Sequence, residues 1–380
     1  MDDRSPQASA AMKVVLQSGS RVFGGNEKWL VTLGRGLSGR GHDITISSPA
    51  GELRARASTA GIATTPHRPR AYEPFSLLDF ATWLRLRRVD ALLLSRWSDK
   101  LPAALGGRLG GVDRVVLRLG IARALTLGRL GASAFRGLID DIIVNSGHIK
   151  DLLAQTAPWF PPERVHVVLN AVEAPRVDAA RRELLRAEMG ADAESVLVIG
   201  AGHVAPRKGF DLLLRAFAHA RPPATTLAIV GDGPQLAELR QLASSLGVSG
   251  RVRFVGKRDD AATLIAAADL FVLSSRNEGM ANVLLEAMAA GVPVISTDVS
   301  GARESIGERH GRGMAGWIVP PDDVDALAGA LATVIPAARA RADNVVQRVD
   351  EARWRARHWF GVDRMLDDVE RIFRPGKPND

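Results

Sequence analysis

The chain has 380 residues, 46% of them hydrophobic and 24% charged, which fits an ordinary globular protein and excludes collagen-like, coiled-coil and disordered classes. With no cysteine, it can form neither disulfides nor thiolate metal sites and cannot use thiol catalysis, and it fits a reducing cytoplasm. The net charge of +8 is uneven, because residues 1–175 carry 23 Lys and Arg against 15 Asp and Glu while residues 176–380 carry 27 against 27, so any anionic partner is expected on the first half.

Residues 1–11 read as a disordered tail without the basic-then-apolar order of a signal peptide. MKVVLQ (12–17) then reads as a buried strand, and Trp29, Leu30, Leu33 and Leu37 recur at helical spacing between Asn26 and Arg40 before GHDITIS returns to strand. The alternation continues through DALLLS (90–95), RVVLRL (114–119), DIIVNS (141–146) and RVHVVLN (164–170), with helices at 76–88 and 99–109. AVEAPRVD (171–178) breaks the pattern, and a second series follows: SVLVIGAG (195–202), TTLAIVGDG (225–233), RVRFVG (251–256), DLFVLSS (269–275) and GVPVIST (291–297). After a helical segment at 322–352, WRARHWFGVDRMLDDVERIF reads as one further amphipathic helix, followed by a disordered PGKPND end.

Helices alternating with strands of this kind predict an α/β fold of two doubly wound, Rossmann-like domains. Their boundaries are expected at 12–174, 175–353 and a C-terminal helix at 354–380. Such sheets hold ligands outside the carboxyl ends of their strands, which implies a site between the domains. No window reaches ~18 uninterrupted apolar residues, so no membrane span is expected.

NEGMANVLLEAMAAGVPVIS is the most informative segment. Glu278 precedes a helix expected to begin near Ala281, and Glu286 lies in its second turn. The free N–H groups and positive dipole end of such a helix bind phosphate or sugar hydroxyls, and carboxylates accept hydroxyl pairs, as a sugar nucleotide would require. The residues alone leave open whether the two glutamates are instead surface groups of an amphipathic helix. In GAGHVAPRKGFDLLLRAF, Arg207 and Lys208 stand before a helix and could clamp a diphosphate, or be a solvated basic pair. The G-A-G at 200–202 lacks the third glycine of a dinucleotide fingerprint.

GGNE (24–27), IIVNS (142–146), LNAVE (169–173), PRKG (206–209), GDGP (231–234), RFVG (253–256) and EGMANVLLEAMAAGVPVI (278–295) together resemble the family 4 glycosyltransferases. These are retaining enzymes of the GT-B fold, and the likeness runs from about residue 13 to 335. The resemblance implies that Glu278 contacts the donor sugar, Glu286 the ribose and Lys208 the diphosphate. The amides of Gly279, Met280, Ala281, Asn282 and Val283 would hold sugar and phosphate oxygens, the backbone at Lys257 and Arg258 would meet the nucleobase, and Gly24 and Gly25 join the donor-binding set. Where the family commonly has G-R, this chain has Gly202-His203, so the second clamp cation is either Arg207 or His203. Arg118 stands near the place of a frequent family histidine and is an acceptor-side candidate. The last helix is implied to return to the first domain.

The expectation is therefore a retaining transferase that moves a sugar from a nucleoside diphosphate to an acceptor hydroxyl in cell-envelope polysaccharide, glycolipid or lipid-linked glycan synthesis. No metal or other cofactor is expected, because no Asp-x-Asp pair sits at a strand end. The alternative is an NAD-dependent oxidoreductase on two Rossmann domains. Nucleic acid is not expected, since aromatic content is only 5%. The basic first half and SLLDFATWLRLRR (76–88) suggest an anionic or lipid-linked acceptor and peripheral attachment at the cytoplasmic membrane face, although the apolar side of that helix could equally be a core face.

Overall fold

The computed structural model describes residues 10–21, 23–70, 73–95 and 100–374. The expected tail before residue 10 and the PGKPND end lie outside the described residues. The chain divides into two compact units: Met1–Asn145, Ile149–Val168 and Val362–Asp380 form one, Ser146–His148 and Leu169–Gly361 the other.

The first unit holds a parallel sheet of β1 (Lys13–Gln17), β2 (Asp43–Ser47), β3 (Ala63–Thr65), β4 (Ala91–Leu94), β5 (Arg114–Leu119), β6 (Asp141–Val144) and β7 (Val165–Val167), in the order β3-β2-β1-β4-β5-β6-β7. ALLL of β4 and DIIV of β6 are buried at every position, as strands covered by helices on both faces must be. One face packs Val15, Leu92, Leu94, Val115 and Leu117 against Phe80, Leu84, Ala103 and Phe135 from the flanking helices. The order reverses beside β1, so the loops after β1 and β4 open at the switch point where doubly wound sheets bind ligands.

The second unit repeats the plan with β8 (Val196–Ala201), β9 (Thr225–Val230), β10 (Val252–Gly256), β11 (Leu270–Leu273), β12 (Val294–Thr297) and β13 (Trp317–Val319), in the order β10-β9-β8-β11-β12-β13, all parallel. Its switch point lies between β8 and β11, which brings the loops after Ala201 and Leu273 together. Val198, Leu227, Ile229 and Val272 meet Phe210, Leu213, Leu214 and Phe217 of helix Phe210–Ala220, and Leu327, Leu331 and Ile335 of helix Val324–Arg339 close the same core.

Three features differ from the sequence reading. β3 and β13 were not anticipated: each is a three-residue edge strand, and unlike β7, which Val168 and Leu169 prolong, neither lies in a longer apolar run. The first crossing between units comes directly after β7, at Val168–Leu169, because Val172 pairs its N–H with the Phe360 carbonyl at 2.8 Å and so belongs to the second unit. The single helix expected from residue 354 is two: helix Asp343–His358 ends in the second unit, and after Gly361 helix Val362–Phe373 packs on helix Gly25–Gly39 in the first. Gly36 makes room there, since a Cβ would lie 2.6 Å from a methyl carbon of Leu366, and Arg40 ties to Asp367 at 2.6 Å.

Candidate active site

In the second unit the sequence motifs converge at the carboxyl ends of the strands. After β8, the turn Pro206–Lys208 carries Arg207 and Lys208 and leads through Gly209 into helix Phe210–Ala220. Gly209 has φ +61°, and a Cβ there would stand 2.0 Å from the Ser274 carbonyl oxygen, so only glycine allows the turn to lie against the loop after β11. Ser274 Oγ donates to the Lys208 carbonyl at 3.1 Å, and the Arg276 N–H donates to the Arg207 carbonyl at 2.8 Å.

Glu278 ends that loop and is 7% exposed. Lys208 Nζ lies 2.5 Å from its Oε1 and Arg207 Nη1 2.9 Å from its Oε2, while Ser275 Oγ donates to Oε1 at 3.0 Å. Burial alone would raise the carboxyl's pKa. The charges of Lys208 and then Arg207, with hydrogen bonds from Lys208 and Ser275, outweigh it and hold the group below the ordinary glutamate value. Glu278 is thus an ionised, almost fully enclosed carboxylate bridging two cations.

Helix Asn282–Ala290 follows, with Glu286 buried in its second turn. Its first internal bonds run from the N–H groups of Leu284 and Leu285 to the Ala281 carbonyl, so the amides of the first turn face out of its N-terminus, as at any helix start. The preceding backbone is fixed from two sides. Asn170 Nδ2 donates to the Met280 carbonyl at 3.1 Å and to Asn282 Oδ1 at 2.8 Å. Gly301, with φ +78°, sits so close that a Cβ would be 2.4 Å from the Gly279 carbonyl oxygen. Buried carboxylate, paired cations and a rigid helix start can together bind a polyanion and hydroxyl groups side by side.

The other sequence candidates fall into distinct settings. His203 Nδ1 lies 2.8 Å from the Asp232 carbonyl, whereas Arg207 is the residue beside Lys208 and Glu278. The loop after β9 abuts the loop after β8, since a Cβ on Gly231 would lie 1.8 Å from the Gly202 carbonyl oxygen. The Gly231 N–H donates to the Gly256 carbonyl at 2.8 Å, bringing the end of β10 with Lys257 and Arg258 alongside. The Arg258 side chain is committed to Asp260, at 2.8 Å, and to Glu188.

Gly24, Gly25 and Arg118 belong to the first unit. Gly24 caps helix Gly25–Gly39, and Glu27 Oε2 accepts its N–H at 3.1 Å. Arg118 lies beneath this turn, 3% exposed, bonded to Asn26 Oδ1 at 2.5 Å and 4.1 Å from the Trp29 ring centroid. Burial pulls its pKa down to about 10 against the pull of Glu27.

Two residues of this region were not singled out from sequence. Asn170 stood in LNAVE, but nothing local to that segment shows that it reaches the loop 110 residues away. Arg276 holds the Pro206–Lys208 turn by donating to the Pro206 carbonyl at 2.8 Å, and it donates two parallel hydrogen bonds to the Asp211 carboxylate at 2.8 and 2.7 Å. Its pairing with Asp211 depresses that carboxyl's pKa. A basic residue in a loop carries no sequence signal of such a task.

The description Glycosyltransferase Family 4 matches residues 23–176, and Glycosyl transferases group 1 matches residues 193–336. The lipopolysaccharide core biosynthesis glycosyltransferase LpsE of Rhizobium meliloti (strain 1021) is 30% identical over 319 residues, covering 82% of this chain and 86% of LpsE. Among solved structures, Anabaena HepE in complex with UDP-glucose aligns with a TM-score of 0.81 at 21% identity, covering 95% of this chain and 98% of that one. A glycosyltransferase from Rickettsia africae ESF-5 aligns with a TM-score of 0.83 at 16% identity, covering 96% and 98%. The fold is therefore GT-B, and the oxidoreductase alternative falls away. The chain belongs to the family 4 glycosyltransferases.

Proposed function

We propose that the enzyme transfers a sugar, with retention of anomeric configuration and without a metal, from a nucleoside diphosphate to a hydroxyl of an anionic or lipid-linked acceptor in cell-envelope glycan synthesis, at an anionic membrane face. The observation that carries the donor assignment is the convergence of Lys208, Arg207 and buried Glu278 before the N-terminus of helix Asn282–Ala290. The relative LpsE is by its name a lipopolysaccharide core glycosyltransferase, and HepE was solved with UDP-glucose, which supports an envelope product and a nucleotide-sugar donor.

In this reading Lys208 and Arg207 turn from Glu278 to the diphosphate and neutralise the charge that grows on it as the bond to the anomeric carbon breaks. Glu278 then accepts hydroxyls of the sugar, Glu286 those of the ribose, and the first-turn amides of the helix hold phosphate oxygens. The acceptor oxygen attacks from the face the diphosphate leaves, and its proton passes to the departing phosphate oxygen, so the bonding electron pair stays with the nucleotide. Lys208→Ala and Glu278→Ala test the assignment: each should abolish transfer while the circular dichroism spectrum and melting remain those of a folded protein. Wild-type turnover in either variant would refute it.

A further inference from the structure

Ten large apolar side chains are exposed among the described residues, and eight of them are in the first unit. Six of the eight stand on two neighbouring helices: Phe75, Leu78 and Leu86 on Pro74–Arg87, and Leu101, Leu105 and Leu109 on Lys100–Leu109. The helices are locked side by side by glycine, since a Cβ on Gly106 would lie 2.8 Å from Phe80 and one on Gly110 would lie 2.9 Å from the Ala81 carbonyl oxygen. Phe80, Ala81 and Leu84 are the inward side of the first helix, so Phe75 and Leu86 project away from the core. Leu101, Leu105 and Leu109 recur every fourth residue and form one outward stripe on the second helix.

Basic groups border this apolar surface. A cavity of about 470 Å³ opens where the two helices end, lined by Arg85, Arg88, Arg108 and Leu109 together with Asp90 and Asp113. Leu109 and Arg85 therefore belong both to the outward helix faces and to the cavity wall, which makes the apolar stripe and the arginines at its end one continuous surface. Protruding leucines with arginines at their margin match the layering of a bilayer surface, acyl chains below and phosphates above, and the positive rim selects an anionic one.

Resting on the proposed membrane-bound acceptor, we propose that this two-helix face is the membrane-docking surface of the protein. Phe75, Leu78, Leu86, Leu101, Leu105 and Leu109 enter the headgroup boundary, and Arg85 and Arg88 take lipid phosphates, while Arg108 is held by Asp140 at 2.6 Å.

The test is co-sedimentation of the full chain, without any sugar donor, with phosphatidylcholine vesicles and with vesicles containing phosphatidylglycerol, at low and high salt. Wild type should bind the anionic vesicles and be released by salt. Arg85→Ala with Arg88→Ala should weaken that binding about 30-fold, each near-surface cation being worth about fivefold. Leu86→Ser with Leu105→Ser should abolish it. All variants should keep wild-type nucleoside diphosphate binding by calorimetry, so a failed donor site and a failed docking surface give separate results. Undiminished vesicle binding by both double variants would overturn the proposal. So would equal binding of wild type to neutral and anionic vesicles, or a dimer in solution that Leu86→Ser with Leu105→Ser dissociates.

Discussion

Replacing Glu278 with Gln separates the two tasks assigned to the donor cluster. In the free protein the carboxylate holds Lys208 at 2.5 Å and Arg207 at 2.9 Å, so a diphosphate must draw both cations away from it. The glutamine keeps the shape and can still accept the hydrogen bond from Ser275, but it no longer competes for the cations. A charge-assisted bond is worth about 1.5–3 kcal/mol net, so a nucleoside diphosphate lacking its sugar should bind about 10- to 150-fold tighter to the variant. Transfer should move the other way, losing about 10²–10³-fold, equivalent to about 2.7–4 kcal/mol of transition-state stabilisation. The fold should lose about 3 kcal/mol, at the lower end for a broken buried pair because the Arg207 side chain is 38% exposed and can turn to water. Calorimetry with UDP, GDP and ADP reads the first effect and initial rates of nucleotide release read the second. Unchanged affinity together with unchanged turnover would show that Glu278 neither competes with a diphosphate for the cations nor takes part in transfer.

The same carboxylate gives a pH prediction. Its folded pKa is depressed, so its stabilising contribution is present in full above the unfolded glutamate value of about 4.3 and disappears as pH falls through the folded value. The melting-temperature gap between wild type and Glu278→Gln should be constant from about pH 8 to 6 and shrink as pH is taken toward 3, and a gap that widens in acid would contradict it. Gly209→Ala puts a Cβ 2.0 Å from a carbonyl oxygen at φ +61° and should cost about 2–5 kcal/mol by urea unfolding, with donor affinity lost in parallel. Arg355 is fully buried, with its guanidinium on the carbonyls of Ser305, Gly307 and Gly313 and on Glu351, so Arg355→Ala should destabilise by about 3–5 kcal/mol. Transfer should survive EDTA, and inhibition that magnesium or manganese reverses would overturn the metal-free reading.

The residue cluster of the second unit was legible in the sequence because its motifs are local. PRKG and EGMANVLLE each place their polar residues on a strand-to-helix turn, where the fold leaves them facing the same strand ends. Apolar runs announced eleven of the strands, the three-residue β7 among them because Val168 and Leu169 continue it, whereas ATT and WIV at the sheet edges stand as isolated three-residue segments. Contacts distant in sequence stayed hidden: Asn170 reaching Met280, Arg276 bracing the Pro206–Lys208 turn, and Arg207 rather than His203 as the neighbour of Glu278 all depend on how the loops pack. The break at Phe360–Gly361 was equally hidden, because the apolar period continues through it while the chain leaves one unit for the other. For helix Pro74–Arg87, the sequence left core face and membrane face as alternatives, and the structure shows Phe80, Ala81 and Leu84 buried on one side with Phe75 and Leu86 exposed on the other.

In the proposed function, Lys208 and Glu278 belong to a nucleoside diphosphate sugar site. The most direct measurement of that assignment is nucleotide release from a panel of UDP-, GDP- and ADP-sugars by wild type and Lys208→Ala, with the anomeric proton of the product followed by NMR. One nucleotide series should be consumed with retained configuration, and Lys208→Ala should slow it at least about 10²-fold without unfolding. A folded Lys208→Ala variant turning over at the wild-type rate, or an inverted product, would contradict the proposed function.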